Sequence, residues 1–188
     1  MLKNQNLISE VFNKLVIDQF GYGGQKYAST NKKEATDILF EKHSHRWLVG
    51  TIDKYTFRFT NLARERDLLK IATYMYILWL KRGFHIDRFK GTKAIINTTV
   101  PVKSANFSKF TLAASENKNL KKKNSLQYIS KVMGQWSKKK FNQISYKDIF
   151  DVYYACYILW DEKFSHIAGQ DKDTWNDKTI VGVAEARK

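Results

Sequence analysis

Residues 67–86, DLLKIATYMYILWLKRGFHI, and residues 148–167, DIFDVYYACYILWDEKFSHI, decide the fold class. Each is apolar on nearly every helical face and too long for a strand. That is the signature of a central, buried helix. Laid over one another without a gap they agree at seven of twenty positions: Asp67/Asp148, Tyr76-Ile-Leu-Trp79 over Tyr157-Ile-Leu-Trp160, and His85-Ile86 over His166-Ile167. The agreement points to a duplication, or to two equivalent helices packed about a pseudo-twofold axis. Chance similarity of two aromatic-rich helices is the alternative. The expected architecture is a mainly α domain over 1–168, built round the two similar helices 66–82 and 147–163.

Outward from these helices, Leu7, Ile8, Val11, Phe12, Leu15 and Val16 recur on one helical face. That helix is expected to stop near Phe20, where Gly21, Gly23 and Gly24 begin. The glycines follow a helix and lack the Lys-Ser/Thr of a P-loop, which favours a cap and turn over a phosphate cradle. Asn31 with Glu34, and Ser145 with Asp148, have capping-box spacing. A helix is expected from Ser44 to Phe59, and the central helix after it runs from beyond Asn61 to Gly83. The two β-rich stretches Lys93–Val102 and Phe107–Ala114 predict a small hairpin inside a basic insertion, 88–124, with Pro101 confining one strand to an edge. Ser125–Lys139 reads as a further amphipathic helix. Residues 169–188 read as a polar tail with an apolar patch at Ile180–Val183.

At 188 residues the chain has the size of one domain, and with 43% apolar and 14% aromatic residues it has the means to build a core. The single cysteine, Cys156, excludes a disulfide framework and a multi-thiolate zinc site. His43 and His45 flank Ser44, but no further ligand cluster accompanies them, so no metal site is expected. Neither the opening residues nor Ile71–Leu80 has the length and apolarity of a signal peptide or membrane span. A soluble, cytoplasmic protein with no membrane partner is the expectation.

The formal charge is +15, and it is unevenly spread. Between Arg88 and Lys147 lie fourteen Lys and Arg against one acid, Glu116, leaving nineteen bases and seventeen acids for the rest. So cationic a chain implies an anionic partner, either a nucleotide or a nucleic acid.

Two constellations can meet that anion. In the first, Lys54 and Arg58 stand at i and i+4, so both cations leave one helical face. Arg58 can grip a phosphate as a fork and Lys54 as a point charge. Gly50, one turn earlier, lets a ligand approach closely. Asp67 opens the next helix opposite Arg58, with Lys70 one turn on. The bland alternative is that Arg58, Asp67 and Lys70 form a salt-bridge network orienting two helices.

The pattern Gly50-x-x-x-Lys54-Tyr55-x-x-Arg58, then Asp67-Leu68-x-Lys70-x-x-x-Tyr74, resembles the core of a family of small bacteriophage proteins that includes a nucleotide kinase without a P-loop. Glu34-Ala-Thr-Asp37-Ile38 is similar to the family's upstream segment, and the likeness spans Glu34–Trp79. Thr51 stands where the family has Asn, and Phe59-Thr-Asn-Leu62 stands where it has Ala-Gly-Lys-Lys. The resemblance implies a role in phage nucleotide metabolism, as a kinase-like or a nucleotide-sequestering protein. In a kinase, Lys54 and Arg58 would neutralise the phosphates, and Asp67 would hold Mg²⁺ or orient Arg58. Mg²⁺ enters only with phosphoryl transfer.

The second constellation is the basic segment. Lys121, Lys122, Lys123 and Lys138, Lys139, Lys140 bracket a helix carrying Tyr128 and Trp136, with Phe107, Phe110 and Phe141 near by. Cations among aromatics suit a phosphate backbone with stacked bases. On this reading the chain is a non-enzymatic nucleic-acid-binding protein, or the basic subunit of a nucleoprotein or homo-oligomeric assembly. A merely solvated lysine surface is the alternative.

Overall fold

The computed structural model describes residues 8–27, 35–89, 104–116 and 124–166. Among the described residues there are seven α-helices, one short 3-10 turn and no strand: α1 (Glu10–Tyr27), α2 (Ala35–His43), α3 (Arg46–Leu62), α4 (Glu65–Phe89), α5 (Ser104–Glu116), α6 (Ser125–Trp136), the turn Phe141–Gln143, and α7 (Tyr146–Phe164). None of these helices is long and apolar enough to cross a membrane.

The two similar helices, α4 and α7, pack on each other at the centre. Leu68, Leu69, Ile71, Ala72, Met75 and Tyr76 of α4 are buried, as are Ile149, Val152, Tyr153, Cys156 and Trp160 of α7. Around them the partners come in equivalent pairs: α3 packs on α4 as α6 packs on α7, and α1 flanks α4 as α5 flanks α7. Phe12 of α1 sets its ring against Tyr157 and Trp160, with centroids 5.6 and 5.4 Å away. Phe110 of α5 does the same against the matching Tyr76 and Trp79, at 5.3 and 5.7 Å. Each Tyr-Ile-Leu-Trp segment therefore receives one phenylalanine wedge.

In the same gap-free register, part of the buried face of the preceding helices also lines up. Leu48, Ile52 and Tyr55 of α3 fall over Ile129, Met133 and Trp136 of α6, and all six are buried.

Three expectations are corrected. Phe107–Ala114 is helical, within α5, so no hairpin forms there; Lys93–Val102 lies outside the described residues. Phe107, Phe110 and Ala114 are buried, and their spacing of three and four is that of one helical face. The first helix does not stop at Phe20 but runs on through the glycines to Tyr27. Each glycine weakens a helix by about 1 kcal/mol relative to alanine yet removes no backbone hydrogen bond. Likewise α4 continues past Gly83 to Phe89, so His85 stands within the helix rather than beyond its end. The Asn31–Glu34 capping box, Lys121–Lys123 and residues 169–188 lie outside the described residues.

The caps that matter for the site are local. Ser145 caps α7, its Oγ accepting the Asp148 N–H at 3.0 Å. Ala63 ends α3 in the left-handed region (φ 46°), with its N–H donating to the Phe59 carbonyl at 2.8 Å. That turn is short enough to bring the first turn of α4 back alongside the last turns of α3.

Candidate functional site

Tyr55 is buried against α4, and three cations surround its ring. The Lys54, Lys70 and Arg58 head groups stand 4.7, 4.8 and 5.6 Å from the ring centroid. Lys70 also donates a hydrogen bond to the Tyr55 hydroxyl at 3.2 Å. Tyr55 in turn stacks on Tyr74 (6.2 Å, 26°), and Trp47 meets Tyr74 edge-on at 6.0 Å. The electron-rich ring faces attract the cations and hold them close in spite of their mutual repulsion.

Arg58 reaches Asp67 across the α3–α4 turn at 3.5 Å, with the arginine side chain 37% exposed and the aspartate 1%. The other carboxylate oxygen, Oδ2, is buried and accepts no hydrogen bond. Burial pushes the Asp67 carboxyl above its ordinary value of 3.8, against the opposing pull of Arg58, Lys70, Arg64 and Arg66. Asp67 thus faces Arg58 through Oδ1, with Oδ2 enclosed. Among the described residues no group of three or more His, Cys, Asp or Glu gathers as a metal site.

The raised pKa fixes a sign. A carboxyl that prefers its neutral form when folded adds stability below its unfolded pKa and loses that contribution as pH rises through the folded value. The melting temperature of Asp67→Asn, measured against wild type, should therefore become more favourable between pH 3.5 and pH 6.5. A constant difference across that range would show that Asp67 does not titrate in this way.

The second half of the molecule supplies an internal comparison. Lys139 lies nine residues before Asp148, as Arg58 lies nine before Asp67. It approaches that aspartate at 3.9 Å. A cation thus approaches the first-turn aspartate in both halves, from α3 in one and from the turn after α6 in the other. What does not recur is the surplus charge. Lys70 falls over Asp151, a buried acid that accepts from Tyr128 Oη at 3.0 Å and pairs with Lys147. Lys54 falls over Gln135. Among the described residues, three cations gather round one ring in the α3–α4 half.

Of the residues in the basic segment, Trp136 must be reassigned. It is wholly buried, its indole N–H points to Asp148 Oδ2 at 3.4 Å, and its carbonyl accepts from His45 Nε2 at 3.0 Å. No face is left for a base. Phe107, Phe110 and Phe141 are buried as well. Lys138, Lys139 and Lys140 follow α6 on the surface, Lys139 partly covered. His45 is buried, not a surface residue, and both its ring nitrogens have partners, Ser44 Oγ at 3.3 Å and the Trp136 carbonyl. Burial raises the Cys156 thiol far above its ordinary value, which makes it a core residue without nucleophilic character.

No family model, curated protein or solved structure matches this chain. The functional reading therefore stands on the chain's own geometry.

The structure places Lys54, Arg58, Asp67 and Lys70 close together. The sequence spacing missed the ring at their centre as the organising element, although Tyr55 lies beside Lys54 and a turn before Arg58. It also missed Phe57, an aromatic side chain that is 71% exposed on the outer face of α3.

Proposed function

We propose that the chain binds nucleotide phosphates on the α3–α4 face, with Lys54, Arg58 and Lys70 as the cationic groups. The role that fits is the phage-type nucleotide metabolism implied by the resemblance, as a nucleotide-sequestering or kinase-like protein. The observation that carries the reading is the convergence of three cations on Tyr55 against one buried acid, at a place where the other half of the repeat has an acid and a glutamine. A structural network alone needs only the Arg58–Asp67 pair, to which the approach of Lys139 to Asp148 corresponds in the other half. Lys54 and Lys70 are additional, and their charge beside Arg58 on one small face suits an anionic ligand. The burial of Asp67 favours binding over metal-assisted transfer.

Calorimetric titration of inorganic tripolyphosphate and a nucleoside triphosphate at low salt tests this. Lys54 is exposed, so Lys54→Ala leaves the fold intact. It should weaken binding roughly 10- to 150-fold, the value of one charge-assisted hydrogen bond. Absence of heat with either compound would sink the proposal.

The nucleic-acid reading keeps the uneven charge and loses its aromatics. If it holds instead, reversing the charges of Lys121, Lys122 and Lys123 abolishes binding to a polynucleotide, and six to eight lysine contacts make that binding fall by about three decades between 50 and 200 mM salt. Nucleotide binding on the α3–α4 face would survive the same change.

A further inference from the structure

We infer that Phe57 is the platform on which the base of a bound nucleotide stacks, so that the α3–α4 face takes nucleotides in preference to inorganic polyphosphates. The inference rests on the phosphate-binding reading above and adds the base to it.

Phe57 makes no contribution to the core: its side chain is 71% exposed, more than any other large apolar side chain in the described part of the molecule. Its position is specific. Gly50, Lys54, Phe57 and Asn61 follow one another at spacings of four, three and four, which is a single stripe on the outer face of α3. Arg58 is the next residue, one step round the helix toward α4. Lys54 stands a turn before the ring and Arg58 beside it, both on the side that faces Tyr55 and α4. On the far side of Lys54 the stripe is clear: a Cβ added to Gly50 would meet nothing within 4 Å. At 1.5 Å per residue, Phe57 and Gly50 lie about 10 Å apart along the helix, with Lys54 between them. A flat base can lie on the ring while its phosphates run to Lys54 and Arg58.

The repeat again supplies the comparison. In the sequence register of the second half Phe57 falls over Lys138, an exposed lysine in the turn that follows α6. The position equivalent to Gly50 is Lys131, also exposed. In that register the α3–α4 half has an aromatic ring and a glycine where the other half has two exposed lysines, beside its three cations. Lone exposed apolar side chains are common. A ring next to a cationic cluster has a ligand chemistry to match, because aromatic stacking serves any base and the neighbouring charges serve its phosphates.

The test compares wild type with Phe57→Ala, titrated with adenosine triphosphate and with inorganic tripolyphosphate under the same low-salt conditions. Stacking on one aromatic ring is worth about 1–3 kcal/mol, so adenosine triphosphate should bind wild type roughly 5- to 150-fold more tightly than tripolyphosphate. Phe57→Ala should remove that advantage and leave tripolyphosphate affinity and melting temperature unchanged. Equal affinities in wild type, or an advantage that survives the substitution, overturn the inference while leaving the phosphate site standing. Failure of both compounds to bind overturns the site and the platform together. If Phe57→Ala instead turns a self-associated species into a monomer in sedimentation, the ring is a contact between copies of this chain and the inference is wrong.

Discussion

Trp136→Ala should lower the stability of the protein by about 3–5 kcal/mol, the usual cost of emptying a buried aromatic site. For a chain of 188 residues that corresponds to a fall in melting temperature of roughly 6–20 °C. The side chain is wholly enclosed, and its loss also strips Asp148 of an indole donor at 3.4 Å. Because a domain of this kind has only about 5–15 kcal/mol in total, the variant approaches the edge of folding. Trp136→Phe, which refills most of the volume, should recover more than half of the loss. Chemical denaturation followed by circular dichroism reads both values. A Trp136→Ala protein that melts like wild type but no longer retains polynucleotide would return this tryptophan to the surface, as the basic-segment reading requires.

Arg58 separates the strut from the site. Arg58→Ala leaves the buried Asp67 carboxylate without its partner, and its cost should be about 1–3 kcal/mol. That is below the 3–5 kcal/mol of a fully enclosed pair, because Arg58 is 37% exposed and water reaches it. Adding Asp67→Asn removes the stranded charge, so the double variant should return to within about 1 kcal/mol of wild type, a coupling expected of contacting residues. Nucleotide affinity should not return with it: both variants lack the guanidinium fork and should bind a nucleoside triphosphate at least roughly 10-fold more weakly than wild type. A double variant that regains both stability and affinity would make Arg58 a strut and nothing more.

The parts of this molecule that could be read from its sequence are those set by local rules. The apolar faces of α4 and α7, the Ser145 cap and the i, i+4 placement of Lys54 and Arg58 all follow from spacing along one helix. So does the pairing of Arg58 with Asp67, since only a short turn separates their helices. The misreadings arise where tertiary packing decides. Phe107–Ala114 has the β-branched and aromatic residues of a strand, but Phe110 is claimed by Tyr76, Trp79, Phe150 and Tyr153, and a helical period is what delivers it there. Trp136 sits among lysines in the sequence, yet its own place on α6 is the inner face, matching Tyr55 on α3. The spacing of Gly50, Lys54, Phe57 and Asn61 puts Phe57 on the outer stripe of α3, but an aromatic residue there reads as core until the buried face, Leu48, Ile52, Tyr55 and Phe59, is seen to be filled without it.

The crossed wedges carry a consequence for how the polypeptide comes into being. Phe12, near the start, seats itself on α7, and Phe110, from the middle, seats itself on α4, the first of the twins. Neither half owns the ring that completes its own centre. A nascent chain released only as far as α4 lacks both the phenylalanine that fills its Tyr-Ile-Leu-Trp notch and the surface on which Phe12 comes to rest. Assembly waits for closures that span most of the polypeptide, and such distant closures are slow. Severed between its twins, the molecule should yield two fragments that are unstructured alone and regain helical order on mixing.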